Sequence, residues 1–231
     1  MRFLIISDMH GDTANVEKLA DEFSKADVVL FGGDFAKFNH AETGKPALET
    51  LVKKHESVYA VIGNCDEPEF LSELEAADIS VENGMVFHDS LIFAGSGGGT
   101  KFSGDTPFER TEEEILSDYA ILKDSAAQCA DENGHWNNLV LIMHNPPKDT
   151  ACDLIPAGVH VGSSALRAFI EETQPLLVVT GHIHESAGID TIGRTTVVNP
   201  GALFEGKYAV AEAAADGNGV WSVTKAELKA L

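Results

Sequence analysis

Short runs of apolar residues recur along the chain, and each gives way abruptly to glycine and a polar side chain. Phe3-Leu4-Ile5-Ile6 breaks at Ser7-Asp8-Met9-His10-Gly11, and Asp27-Val28-Val29-Leu30-Phe31 ends in Gly32-Gly33-Asp34. Val58-Tyr59-Ala60-Val61-Ile62 ends in Gly63-Asn64-Cys65-Asp66. Leu139 to Met143 stops at His144-Asn145-Pro146-Pro147, and Leu176 to Val179 runs into Gly181-His182-Ile183-His184-Glu185. Unbroken apolar runs of this length predict strands covered on both faces. Each of the first three is followed by a segment with helical spacing. Val16, Leu19, Ala20 and Phe23 follow Asp12 or Thr13 as a cap; Pro46 to Lys54 and Pro68 to about Ala77 each carry proline near the start.

Strands alternating with helices predict βαβ units and a largely parallel sheet. In such sheets ligands collect where strands end. An extended backbone through Asp8 and His10 would send both side chains to one side, as half of a metal site. Asp34, Asn64, His144, His182 and His184 sit at equivalent strand ends.

The middle of the chain is less regular. Ile79–Val81, Met85–Phe87 and Leu91–Ala94 read as short strands, the first two joined by a turn at Asn83-Gly84. Gly95 to Pro107 reads as a glycine-rich loop. It lacks the Gly-Lys-Ser/Thr of a phosphate-binding loop and suits a surface loop or an active-site lid. Glu109 to about Ala130 reads as one helix, and Lys148 to Val161 has no clear pattern. A helix begins at Gly162-Ser163-Ser164, with Leu166, Phe169 and Ile170 on one face. Gly188–Ile192, Thr195–Val198, Tyr208–Ala213 and Val220–Val223 read as strands. No repeat or linker appears, so residues 1–231 are expected to form one domain.

Acidic residues outnumber basic ones, 37 to 16, for a net charge of −21. That disfavours bulk nucleic-acid binding but leaves room for a small phosphorylated substrate, because a bound metal reverses the local potential. Three cysteines without a CxxC pair point to a reducing compartment. No leader-like segment appears, and no run approaches the roughly 18–20 apolar residues of a membrane helix. The expectation is a cytoplasmic protein with no membrane partner. Its oligomeric state is open, homo-oligomers included.

Asp8-Met9-His10, Gly33-Asp34, Gly63-Asn64, His144 and Gly181-His182-Ile183-His184 together form an ordered set. It resembles the DxH, GD, GN, His and GHxH blocks of the calcineurin-like metallophosphoesterases. Gly63-Asn64-Cys65-Asp66 and Asn199-Pro200-Gly201 also look like the small bacterial and archaeal phosphodiesterase branch. The resemblance implies a four-layer α/β/β/α sandwich of two mixed β-sheets flanked by helices. The early βαβ units would make one sheet and the β-rich C-terminal part the other.

The resemblance further implies two divalent ions. Mn²⁺ is favoured, and Fe, Zn²⁺, Ni²⁺ or Co²⁺ also suit mixed oxygen and nitrogen ligands. Asp8, His10 and His184 would hold one ion, Asn64, His144 and His182 the other, and Asp34 would bridge them. Asp34, Asn64 and His144 are also assigned a catalytic part. If their segment is extended, His182 and His184 point the same way. The implied reaction is in-line attack on a phosphate ester by a hydroxide held between the ions, without a phosphoenzyme.

One departure stands out: many family members carry histidine directly after the asparagine, where it protonates the leaving group. Here Cys65 stands there, and an ordinary thiol suits that duty poorly. Asp66 and His160 are substitutes, and Cys65, Asp66 and His160 are the candidate substrate contacts. Without a good acid, diesters or good leaving groups are favoured. The alternatives are a phosphomonoesterase, a protein phosphatase, or a non-catalytic scaffold of the retromer-subunit type. His40, His55, His88 and His135 match no block. Lys101 and Arg194 read as solvated charges, and Phe102, Phe108 and Phe204 as packing residues.

Overall fold

In the computed structural model, which describes residues 1–231, the chain opens with the expected alternation. Strand β1 (Arg2–Ile6) leads to helices α1 (Ala14–Lys18) and α2 (Ala20–Lys25), β2 (Val28–Phe31) to α3 (Gly44–Val52), and β3 (Val58–Ala60) to α4 (Leu71–Ala76). Next come β4 (Val86–His88), β5 (Leu91–Ser96), the short β6 (Gly99–Thr100) and β7 (Glu109–Arg110), and helices α5 (Glu112–Ser117) and α6 (Ala120–Cys129). β8 (Leu139–Met143), α7 (Ser164–Thr173), β9 (Leu177–Val179), β10 (Gly188–Ile192), β11 (Thr195–Asn199), β12 (Lys207–Ala215) and β13 (Trp221–Ala230) follow.

Two mixed sheets result, ordered β13-β12-β1-β2-β3 and β10-β11-β9-β8-β5-β4. In the first sheet β1, β2 and β3 run parallel while β12 and β13 pair antiparallel; in the second β11, β9, β8 and β5 run parallel and the edge strands β10 and β4 pair antiparallel. The side-chain period of two divides each apolar run between two cores. Phe3, Ile5, Val28 and Leu30 meet Phe93, Val140, Ile142 and Val179 between the sheets. Leu4, Ile6, Val29 and Phe31 turn the other way, onto Val16, Leu19, Leu48 and Leu51 of the helices. On the far side, Leu141, Met143 and Val178 pack against Leu166, Phe169 and Ile170 of α7 and against the buried Tyr119 and Trp136. The architecture is therefore the four-layer α/β/β/α sandwich. Each large side chain buried this way contributes roughly 1.5–3 kcal/mol.

The C-terminal part does not form the second sheet by itself. β10 and β11 join it, but the β12–β13 hairpin returns to the first sheet, where Ala211 faces Phe3 across an antiparallel ladder. β1 is buried on both faces and needs a partner at each edge. β2 supplies one and β12 the other.

Residues 79–87 do not form a hairpin. Ser80 makes only an isolated bridge to Ala60, while β4 turns into β5 through Asp89 and Ser90, at φ 46° and 69°. Two left-handed residues match the twist of a two-residue hairpin. The helix expected over Glu109–Ala130 is in three pieces: β7, α5 and α6. A capping box between Thr111 and Glu114 starts α5, and α5 stops at Asp118, whose carboxylate is turned inward to Arg110. The first expected helix is likewise interrupted, at Leu19. Gly95 and Ser96 belong to β5, and Gly99–Thr100 to β6, so only part of the expected glycine-rich loop is irregular.

Candidate metal centre

The ends of β1 and β2 are knitted together by their backbones. Asp8 N–H donates to Gly33 O at 2.9 Å, and the N–H groups of Met9 and His10 both donate to Asp34 O at 3.0 Å. The chain is no longer extended here. Asp8, His10, Asp34 and His182 lie at φ 55°, 47°, 61° and 68°. The extended geometry expected for Asp8 with His10, and for His182 with His184, is therefore wrong. Left-handed turns aim these side chains instead, at a cost of about 1–2 kcal/mol each. Close packing adds a further constraint: a Cβ on Gly63 would collide with the Asp34 carboxylate.

The side chains nonetheless converge. The donor atoms of Asp8, His10, Asp34 and His184 all lie within 4.8 Å of one another. His184 Nε2 is 3.1 Å from Asp8 Oδ1, and His10 Nε2 is 3.6 Å from Asp34 Oδ2. On the other side of Asp34, His144 Nε2 is 3.5 Å from Asp34 Oδ2 and 2.8 Å from Asn64 Oδ1. The His144 and His182 rings stand 5.1 Å apart. Asp34 Oδ2 is thus flanked by both groups, while its Oδ1 accepts the Cys65 N–H at 2.8 Å. His144 Nδ1 sits 2.7 Å from the Gly32 carbonyl. With Nδ1 protonated, that contact leaves Nε2 free to bind a metal.

No lysine or arginine pairs with Asp8 or Asp34; the imidazoles carry the compensation. Burial alone would raise the Asp34 carboxyl, yet the His144 charge holds it well below the usual range. Asp8 is likewise lowered, as its hydrogen bond to His184 and nearby imidazole charge outweigh burial. The Asp34 charge overcomes desolvation and raises His144 to about 9, so a metal at Nε2 would have to displace a proton there. His182 goes the other way, pushed down to about 4 by burial.

Two features mark this cluster as incomplete without a cation. Asp8 Oδ2 is buried with no hydrogen-bond partner. His10 Nε2 and His184 Nε2 face each other at 3.2 Å, an arrangement in which the two nitrogens compete for one proton. Divalent ions satisfy both features, and this mixed oxygen and nitrogen donor set fits them.

The proposed substitutes for the leaving-group acid are placed differently. Asp66 is wholly buried, and its two oxygens accept N–H bonds from Phe35, Ala36 and Gly63 at 3.1, 2.7 and 2.8 Å. It staples the end of β2 to the loop carrying Asn64. Cys65 is buried, and burial followed by the Asp34 charge pushes its thiol far up. His160 is half-exposed, with Nδ1 2.7 Å from the buried Asp153.

Phe204 was visible in the sequence only as an aromatic. It stands edge-on to His10 and His184, at 5.4 Å from each ring. Asn199 donates to the Ile183 carbonyl at 2.9 Å and so pins the segment carrying His182 and His184. Phe102 does not pack in the core; it is 97% exposed.

The sequence matches the calcineurin-like phosphoesterase family over residues 1–186. It is 32% identical over 207 residues to the uncharacterized protein MJ1162 of Methanocaldococcus jannaschii, covering 87% of this chain and 88% of that protein. Its fold is similar to the crystal structure of TT1561 of Thermus thermophilus, with TM-score 0.72, 20% identity, and coverage of 99% and 98% of the two chains. The phosphopantetheinyl hydrolase PptH of Mycobacterium tuberculosis is similar at TM-score 0.57 and 12% identity, over 87% of this chain and 89% of that one.

Proposed function

The chain belongs to the calcineurin-like phosphoesterase family, and on that premise we propose that it is a dinuclear metal-dependent phosphoesterase favouring diesters. The observation that carries this reading is the flanking of Asp34 Oδ2 by His10 and His144, beside the unpartnered Asp8 Oδ2. In this reading Asp8, His10 and His184 hold one ion, Asn64, His144 and His182 hold the second, and Asp34 serves both. Mn²⁺ is the first choice. When bound, the ions supply a lowered water pKa and positive charge for the phosphoryl oxygens.

The chain's own residues do the rest. The Gly32 carbonyl fixes the His144 tautomer. The Cys65 N–H holds Asp34 Oδ1, leaving Oδ2 turned toward the histidines. The Asp66 staple keeps the loop of Asn64 in register with Asp34. Hydrolysis then proceeds by in-line displacement at phosphorus with water as nucleophile and no covalent intermediate. The raised Cys65 thiol is a poor proton donor to a departing alkoxide. This supports preference for diesters and good leaving groups over unactivated monoesters. The partner is a small phosphate ester, which the strongly acidic chain leaves open while disfavouring bulk nucleic acid.

Purified protein is expected to hydrolyse bis(p-nitrophenyl) phosphate with Mn²⁺ and to lose that activity to a chelator. Stoichiometric Mn²⁺ binding without turnover on any ester would replace this reading with a non-catalytic scaffold.

A further inference from the structure

Beside Asn64 and His182 the site opens into a cleft of about 560 Å³. One wall is the loop from Thr100 to Thr106; Ile155, Val161 and Ile183 face it. Phe102 lies at the mouth with its ring almost wholly in solvent, the most exposed of the chain's large hydrophobic side chains. Together with Ile155, Val161 and Ile183 the ring gives the cleft an apolar lining beside Asn64 and His182, a surface that gains by being covered.

The loop that presents this ring is not slack. The Glu109 carboxylate accepts the N–H groups of Phe102 and Gly104 at 2.8 and 3.0 Å, and the hydroxyls of Ser103 and Thr106 at 3.1 and 3.2 Å. The ladder from Gly99 and Thr100 to Glu109 and Arg110 closes its base. Glu109 is therefore occupied by its own loop. Lys101 is the cleft's other charged residue, and it makes no ion pair. An unpaired ammonium at the mouth disfavours a cationic guest. An exposed ring offers its face to a planar one.

We propose that this cleft is the subsite for the organic group of the ester, and that the group is aromatic and carries no positive charge. The inference rests on the phosphoesterase reading for the phosphate end of the ligand. Phe102 is the stacking surface, and Glu109 is a positioning residue that holds the loop in place.

Calorimetry with Mn²⁺-loaded protein tests it, using phenylphosphonate, cyclohexylphosphonate and methylphosphonate as probes. Phenylphosphonate is expected to bind about tenfold more tightly than methylphosphonate, in line with stacking on one aromatic side chain. Cyclohexylphosphonate, of similar bulk but without a π-face, falls between them. Phe102→Ala removes the phenyl preference and leaves methylphosphonate binding unchanged. Glu109→Gln weakens the preference and raises KM for aryl esters without lowering kcat. Equal binding of phenyl- and methylphosphonate, equal binding of phenyl- and cyclohexylphosphonate, or a preference that survives Phe102→Ala would each overturn the assignment. Turnover of bis(p-nitrophenyl) phosphate is read separately on the same samples. Turnover without aromatic preference removes the subsite alone; a preference without turnover supports the subsite and removes the esterase reading.

Discussion

Two clusters of buried charge in this molecule are built on opposite principles. In the first, the Arg110 guanidinium meets both oxygens of Asp118, at 2.6 and 2.8 Å, and donates to the carbonyls of Gly97 and Glu114. Ser96 Oγ adds a hydrogen bond to Asp118 Oδ2 at 2.6 Å. The charges are matched one to one, and the chain alone satisfies them. In the second, Asp8 and Asp34 have imidazoles as their only charge partners, one carboxylate oxygen has no partner, and two ring nitrogens compete for a proton. The first cluster closes a structure. The second waits for a ligand, and the cost of ordering it is recovered only on binding.

The largest effect that would break this contrast is Asp34→Asn. Removing the shared carboxylate should reduce turnover by on the order of 10³-fold. It should also abolish the rise in Tm that Mn²⁺ gives the parent protein, with the far-ultraviolet circular dichroism unchanged. Near-normal activity would show that Asp34 does not serve both ions.

Arg110→Ala addresses the other cluster. It strands a buried carboxylate whose side chain is 4% exposed and should destabilise the fold by about 3–5 kcal/mol. Urea unfolding with and without Mn²⁺ separates the two clusters, because metal should stabilise parent and variant equally. A loss that Mn²⁺ specifically restores would show that the clusters are coupled.

The contrast also separates what sequence could reveal from what it could not. The convergence of these side chains was legible because each follows an apolar run that stops abruptly, and because Asp, His and Asn at strand ends have few structural uses in common. The Arg110–Asp118 pair was not legible. It joins β7 to the residue that ends α5, two breaks that continuous helical periodicity conceals, and its strength depends on burial. The route of the C-terminal hairpin was hidden for a related reason. β12 and β13 look like any alternating strands, and only the open edge of β1 decides which sheet they join. Left-handed φ at Asp8 and His10 was missed because aspartate and histidine give weaker warning of that conformation than glycine does.

Glu82 borders the Arg110–Asp118 cluster, whose charges act on it. It accepts the Ile62 N–H at 2.6 Å, and burial first, then the nearby Asp118 charge, raises its carboxyl to about 7. The folded protein therefore keeps a proton that the unfolded chain releases above the ordinary glutamate range. The contribution of Glu82 to stability falls as pH rises from about 4.5 to about 7 and is constant above that. Glu82→Gln should flatten this fall, changing the difference between parent and variant by roughly 1–2 kcal/mol across the window once partial solvation is allowed for. Parallel urea curves for the two proteins at pH 5 and pH 8 would show that Glu82 carries no such linkage.

The smallest expected effect tests the metal centre at the position where it departs from the family pattern. Cys65 contributes its N–H to Asp34 whatever side chain it carries, so Cys65→His alters the side chain and keeps that bond. The thiol is held protonated by burial and by the Asp34 and Asp66 charges. An imidazole at the same place titrates near neutrality and can pass a proton to a departing oxygen. Unactivated monoesters depend on that proton most, and diesters with good leaving groups least. The ratio of monoesterase to diesterase kcat/KM should therefore rise by about tenfold, short of the ~10²–10⁴ of an acid placed by its surroundings. The monoester pH profile should gain a limb that the parent lacks. The cavity beside Cys65, lined by His40, Glu67 and Asp105, gives the new ring room to turn. An unchanged ratio on a matched monoester and diester would mean that proton delivery does not limit this site, and that the preference for diesters lies in the cleft rather than in Cys65.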